Sequence, residues 1–590
     1  MRQALGRDWP IAAGAAVIAA MLTAGRHVHF AGRLTASADE TFLTPFRATD
    51  LALWASLAAA TIIALVGLRA VFRLIGPPTP GRRGGRAGPV VPPGAAAPAP
   101  CAADGAAGRW TAAPPDGAGA LTRRSVGTTT DLAAARRATL IFAGVIVLAW
   151  LPWYLAAFPG VVLPDSLSSI GQALGTRPFS NHHPITFTLL VAAVLAPAKW
   201  LGLGAQAGVA IFTGLQALAV AGMCGYSVWW LRSRLGWNPV WQWAGLGFFA
   251  LVPVFPIHSI SVQKDALFAA AVLGLSLVAA DAVARGGWGR PSPWWVFGLA
   301  VTLLRNGGAA VALVQLAAVW LVLRRAAAPR RPVARRTVAR PLAITAIILL
   351  VAQMAVPARD PIESLAIPVQ QLSRVAAVAP DQLTPGQRAD FEELMPLGRF
   401  ADLYAPGLVD PIKWAPEFQS RQIPYHPVRY AALYLQLGVS HPAAFAQAWA
   451  LETFGLWAPG QKYWYGSMET RVEPNDFGIE RRDLTGGLID PARAWHMSAG
   501  SLAVALVAAV ALVAAGRRRR LLAALVAPAA IWLLGLATTP AAFGLRYVLS
   551  LALTLPLAIG LAAASATRPP GHSRDEGPVR PPTVPAPPQP

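Results

Sequence analysis

Hydrophobic residues in this chain come in runs about as long as a bilayer is thick, separated by short polar punctuation. An α-helix rises ~1.5 Å per residue, so roughly 20 apolar residues cross a hydrocarbon core of about 30 Å. Such runs are Ile11–His29, Leu51–Ile75, Ala138–Phe158, Gln206–Trp230, Trp241–Ile257, Ala266–Val283, Leu342–Val356, Leu502–Ala515, Leu521–Ala537 and Leu545–Ala564. A shorter pair, Trp294–Leu304 and Gly307–Leu323, reads as a hairpin with Arg305 and Asn306 at its tip. The pattern predicts an all-α polytopic membrane protein of about 12 spans. Pro184–Trp200 is apolar but short and contains Pro197. If it crossed, Gln206–Trp230 would end outside with Arg232 and Arg234 attached, against the positive-inside tendency. It is therefore expected to lie against the outer face.

Charge sets the expected orientation. Between Pro357 and Trp495 there are sixteen acidic and twelve basic residues, so this stretch carries −4 and the remainder +26 of the overall +22. Basic loops stay in the cytoplasm while a large near-neutral segment is exported. The chain then divides into a two-helix membrane segment (1–75), a basic linker (76–137), a transmembrane core (138–356), an extracytoplasmic segment (357–497), C-terminal membrane helices (498–566) and a Pro-rich tail (567–590). Gly, Pro, Ala and Arg dominate the linker, which has little to bury and is expected to be disordered. The extracytoplasmic segment reads as mostly helical, without a regular sheet. The first apolar run has no small-residue cleavage site after it and reads as a retained anchor.

Composition narrows the classes. The chain is 55% hydrophobic and 13% charged, far from a soluble domain. Its basic residues cluster beside apolar runs rather than on a soluble face, so membrane lipids, not nucleic acid, are the expected counterpart. Cys101 and Cys224 fall in the linker and in an apolar run, which argues against a disulfide or a thiolate metal site.

Candidate chemistry gathers at the predicted outer ends. Asp165 follows Pro164 and opens an amphipathic stretch: a helix cap, a general base at the water–lipid boundary, or a ligand for a divalent ion. His182 and His183 precede Pro184. Adjacent histidines point to different faces, so one of them is expected to touch substrate or partner Asp165 rather than share a metal. Lys264 and Asp265 begin a helix, where interfacial anchoring competes with a binding role. Gly307 and Gly308, beside Arg305 and Asn306, would let another group come close. Arg546 and Tyr547 open the last helix. In ESLAIPVQQLSRV, Gln370 and Arg374 share one helical face with Gln371 alongside. Asp410 and Lys413 in DPIKW are equally consistent with an Asp-Pro turn. Tyr463, Trp464 and Tyr465 could stack on sugar or anchor at the interface.

Taken together, PGVVLPDS, NHHP, QKDALF, LLRNGG, ESLAIPVQQLSR, DPIKW and FGLRY resemble the GT-C superfamily of polytopic glycosyltransferases, which includes the protein O-mannosyltransferases and lipid A aminoarabinose transferases. More closely, the chain looks like an uncharacterised bacterial family of GT-C-like proteins, over roughly Ala138 to Ala564. The resemblance implies a GT-C-like bundle in the bacterial plasma membrane with surface helices in the first outer loop, and the charge pattern puts both termini in the cytoplasm. It implies transfer of a sugar from a polyprenyl-phosphate donor to an envelope glycan or protein acceptor. By position it makes Asp165 the catalytic carboxylate and sets NHHP at the start of the next helix. The charge of a departing polyprenyl phosphate would then call for cations, which Lys264, Arg305 and Arg546 could supply, with His182, His183, Asp265, Asn306, Gln370, Gln371 and Arg374 as expected substrate contacts. This chain has one Asp where many members have two adjacent acids, which leaves a divalent cation open. A flippase of lipid-linked saccharides, or a GT-C-fold protein without catalysis, are the competing readings.

Overall fold

A computed structural model describes residues 2–28, 44–75, 129–180, 183–325, 362, 365–460, 470–491, 497–542 and 544–567. Most of the linker, Leu342–Val356, His182, the Tyr463–Tyr465 trio and all but the first residue of the Pro-rich tail lie outside the described residues. In chain order the first helices are α1 (Arg2–Gly25), α2 (Ala48–Ile75), α3 (Thr129–Ala156), α4 (Pro164–Ala173), α5 (Ile185–Trp200) and α6 (Gly204–Leu235). Then come α7 (Pro239–Leu251), α8 (Val254–Ser259), α9 (Lys264–Arg285), α10 (Pro291–Leu304) and α11 (Gly308–Arg325). No strand forms among the described residues, which carry only isolated bridges.

A separate helical unit follows: α12 (Ala366–Val378), α13 (Pro385–Leu394), α14 (Leu397–Leu403), α15 (Asp410–Lys413), α16 (Gln422–Tyr425), α17 (Pro427–Ser440), α18 (Pro442–Glu452) and α19 (Phe454–Trp457). Phe391, Phe400, Leu433 and Phe445 give it a core of its own. The chain then re-enters the bundle as α20 (Ala499–Ala515). A 3-10 segment, Arg519–Leu525, runs into α21 (Val526–Thr538), and another, Leu545–Val548, runs into α22 (Leu549–Ala566).

Among the described residues eight helical stretches are long and apolar enough to cross a membrane: α1, α2, α3, α6, α9, α11, Arg519–Thr538 and Leu545–Ala566. The chain is a multi-pass membrane protein. The difference from twelve has local causes. Trp241–Ile257 is broken, because Val252 turns extended before Pro253, as a residue preceding proline must. At 14 and 17 residues α10 and α20 are shorter than the 18 residues a crossing helix needs here, and Leu342–Val356 lies outside the described residues; α5, at 16 residues, was not expected to cross. Helix α3 begins at Thr129 rather than Ala138, since Leu132–Arg137 are good helix formers and join the helix.

Burial separates centre from rim. In α9 and in Leu545–Ala566, 83% of the most apolar stretch is buried, against 17% in α3 and 6% in α2. Cys224 is fully buried in this core.

The tight α10–α11 turn shows why two glycines stand there. Gly307 has φ +83°, and a Cβ on Gly308 would come 1.9 Å from the Val301 carbonyl oxygen. The groups that approach closely are the α10 backbone at Gly308 and the Leu534 side chain, 2.9 Å from a Cβ on Gly307. Gly308→Ala should open the turn and destabilise the fold by about 1–3 kcal/mol, read as a lower melting temperature of the purified protein.

Candidate functional site

Two main-chain docks bring distant segments to one end of the bundle. In the first, the segment after α3 pairs with the segment after α8. Val161 N–H donates to the Ile260 carbonyl at 3.0 Å and Val262 N–H to the Val161 carbonyl at 2.9 Å. Helix α6 fastens both from behind. Thr213 Oγ1 donates to the Pro159 carbonyl at 2.6 Å, and Gln216 Nε2 to the Ser259 and Ser261 carbonyls at 2.9 and 2.6 Å. Gly160, at φ +125°, lets its backbone pass between Ile260 and Thr213, where a Cβ would lie 2.6 Å from each. The loop that precedes Asp165 is thus held in register with the loop that precedes Lys264.

The second dock joins the helical unit to the entry of the last helix. Val409 N–H donates to the Pro540 carbonyl at 3.2 Å, and Ala542 N–H to the Gly407 carbonyl at 2.9 Å. It sets α15, with Asp410 and Lys413, opposite Arg546.

Between the docks lies a cavity of about 290 Å³, lined by residues including Asp165, His183, Lys264, Asp265, Arg305, Asn306, Asp410, Lys413, Trp414, Thr538, Thr539, Arg546 and Tyr547. Four cations face three carboxylates in that wall, a surplus of one positive charge before His183 is counted. Asp165 does not cap its helix. The N-cap is Leu163, whose N–H is taken by Ser166 Oγ at 3.0 Å. Asp165 stands in the first turn, where the helix dipole favours an anion, and it accepts from Arg546 Nη1 at 3.0 Å. Its other oxygen is 3.9 Å from His183 Nε2, and Lys264 Nζ donates to His183 Nδ1 at 3.3 Å. Burial works to raise the Asp165 carboxyl, but Arg546, Lys264 and His183 more than offset it and hold it well below the usual carboxylate range.

The remaining cations are braced individually. Arg305 donates to the Tyr547 carbonyl at 2.6 Å, lies 3.9 Å from Asp265 Oδ1, and sits over the Phe268 and Tyr547 rings at 5.3 and 5.7 Å. Arg546 donates to Tyr547 Oη at 3.1 Å. Lys413 pairs with Asp410 at 3.1 Å and lies 4.7 Å from the centre of the Trp414 ring. Cation–π contact and ion pairing together hold these groups in place. Among the described residues no three His, Cys, Asp or Glu side chains are grouped to hold a metal ion.

Not every residue named from the sequence reaches this cavity. Asp165, His183, Lys264, Asp265, Arg305, Asn306 and Arg546 line it, and His182 is outside the described residues. Gln370, Gln371 and Arg374 do not, because they are spent inside the helical unit. Gln370 donates to the Ala405 carbonyl at 2.6 Å, Gln371 to the Phe445 carbonyl at 3.2 Å, and Arg374 to Gln447 Oε1 at 2.7 Å and Tyr404 Oη at 3.3 Å. Gln370 and Arg374 brace the loop at residues 404 and 405 that leads into α15, while Gln371 ties α12 to α17 and α18. Asp410 and Lys413 are the reverse case: a weak string in the sequence, they face the cavity. Trp414, Thr538 and Thr539 had no chemical signal, since a tryptophan beside Lys and two threonines before Pro540 are ordinary at a helix end.

These features define a multi-pass helical membrane protein with a charged cavity at one end of its bundle. Residues 175–575 match the family of unknown function DUF6020, and the chain belongs to that family. Lys264, Arg305, Lys413 and Arg546 fall inside the matched stretch and Asp165 lies just before it. No curated protein and no solved structure matches the chain.

Behind α15, Glu452 is fully buried, and burial, reinforced by Asp410, pushes its carboxyl well above the usual range. The folded protein therefore keeps a proton that the unfolded chain releases above a pH of about 4.5. This stability is fully present below that pH and is lost as pH rises through the folded value. Glu452→Gln should match the wild type at a pH of about 4 and be more stable by on the order of 1 kcal/mol at a pH of about 8, measured by thermal melting. Asp165 has the opposite sign. Its pairing stabilises above a pH of about 4 and is lost as the pH falls below it. Asp165→Asn should therefore flatten the acid limb of the same melting profile.

Proposed function

We propose that this protein is a membrane glycosyltransferase that takes a sugar from a polyprenyl-phosphate donor and passes it to an acceptor in the cell envelope. The reading places the cavity on the extracytoplasmic side, which the excess of basic residues in the other loops supports. It also keeps the wider expectation of a GT-C-like bundle with about twelve spans. The observation that carries it is the meeting of Asp165 with Lys264, Arg305 and Arg546, from four separate segments, around one cavity.

The chemistry follows from charge. A prenyl-linked phosphate has its tail in hydrocarbon and its anion at headgroup depth. The anion needs cations that stay in place as the leaving group gains charge. Arg305 and Arg546 are suited to phosphate oxygens, since a guanidinium offers paired donors. The acceptor hydroxyl oxygen attacks the anomeric carbon, the bond from that carbon to the phosphate oxygen breaks, and its electron pair departs with polyprenyl phosphate. The acceptor proton passes to Asp165, and the sugar carbon inverts. In the empty site Asp165 is held by Arg546 and is a weak base. An arriving phosphate competes for Arg546, and loss of that contact raises the basicity of Asp165 once the donor is seated.

A flippase calls for polar groups through the depth of the membrane. Here the cations stand at helix ends: Lys264 starts α9, Arg305 ends α10, and Arg546 precedes α22. That placement favours transfer over transport. The reading routes no step through a metal ion.

The test is comparative mass spectrometry of envelope glycans and lipid-linked sugars in a strain lacking the gene, complemented with variants. Asp165→Asn should reduce transfer by about 10²–10⁴-fold while the lipid-linked donor accumulates, and Arg546→Gln should impair transfer too. Unchanged glycan and donor profiles in the deletion strain would remove the proposal. Full activity of a well-expressed Asp165→Asn would remove its base.

A further inference from the structure

A second cavity lies far from the first. About 470 Å³ in size, it is formed between α3, α6 and α7 and lined chiefly by Phe142, Trp229, Arg232, Ser233, Gln242 and Trp243. Thr213 of α6 touches the loop before Asp165, and from there to Arg232 the helix runs about 28 Å at ~1.5 Å per residue. The groove is therefore at the opposite end of the bundle from the charged cavity.

Three observations identify what fills it. First, its walls are apolar and exposed at the surface of the bundle. Only 17% of the apolar stretch of α3 is buried in the protein, and Leu140, Ile141, Val240 and Trp243 around the groove are 66, 54, 73 and 62% exposed. Second, the groove is apolar along most of its lining but ends in Arg232, Ser233 and Gln242. Arg232 donates to Gln242 Oε1, and a guanidinium has five N–H donors, so others remain for an anion. Third, positive charge gathers at the same end. Arg136 and Arg137, both exposed, directly precede the groove residue Ala138. Arg234 one turn beyond Trp230 is paired with Asp281 at 3.6 Å. Indoles and arginines at one level are the pattern of a membrane interface, and basic clefts between helices there recognise anionic headgroups.

We infer that this groove is a binding site for an anionic phospholipid, with its phosphate at Arg232 and an acyl chain along Phe142, Trp229 and Trp243. The lipid joins α3 to the α6–α7 corner, where α3 is otherwise the least covered of the helices around the core apart from α2. The site does not depend on the proposed transferase reaction and needs no substrate to be examined.

The full-length protein purified in detergent is to be offered equal amounts of phosphatidylglycerol and phosphatidylcholine with the same acyl chains. Retained lipid is counted by native mass spectrometry, and melting temperature is followed in parallel. The expected result is at least about fivefold preferential retention of phosphatidylglycerol and a higher melting temperature with it. Arg232→Gln should abolish the preference while leaving nonspecific lipid adducts, Arg232→Lys should retain part of it, and Trp243→Ala should weaken retention. Equal retention of the two lipids by the wild type would overturn the proposal, as would an intact preference in Arg232→Gln. A melting increase reproduced by glycerol phosphate alone would overturn the assignment to a lipid. If Arg232→Gln does not fold, the wild-type comparison and Trp243→Ala decide the matter.

Discussion

Seven charged side chains have to share one cavity at the edge of a hydrocarbon-soluble bundle, and that is possible only if each finds a partner. A lone charge at such a place costs several kcal/mol, whereas an ion pair or an aromatic face offsets much of it. Asp165 meets Arg546, Arg305 meets Asp265 and two rings, and Lys413 meets Asp410 and Trp414. Break the convergence of their loops and several of these charges would be stranded together. The two main-chain docks are therefore what the site depends on.

The docks also explain the division of labour between membrane and helical unit. The bundle supplies the carboxylate and most of the cations, since α9, the α10–α11 turn and the start of the last helix all end at the same level. The unit contributes α15, steadied from behind by Gln370 and Arg374 through residues 404 and 405. The other end of the bundle has a different character, apolar with a guanidinium at its rim, and suits a lipid rather than a reactant.

Much of the candidate site was legible because charge is rare in an apolar chain. Asp165, Lys264, Arg305 and Arg546 stand out against long hydrophobic runs, and simple counting of helix directions puts them at one end. Gln370, Gln371 and Arg374 misled for the same reason. Polar residues on one helical face point to a common target, but spacing cannot say whether that target is a ligand or a backbone carbonyl such as that of Ala405. Asp410 and Lys413 were undervalued because their position relative to Arg546 is set by a dock between residues more than a hundred apart in sequence.

The sequence by itself determined the helical membrane class, since burying a backbone in hydrocarbon leaves a helix as the way for an apolar run to satisfy its own hydrogen bonds. It also determined which rare charges needed an explanation. The three-dimensional structure was needed to show that Gly308 serves the close approach of the α10 backbone. It decided as well that Asp165 is held by Arg546 rather than capping its helix. The last of these rests on a contact between segments 381 residues apart, whose energy no local window contains.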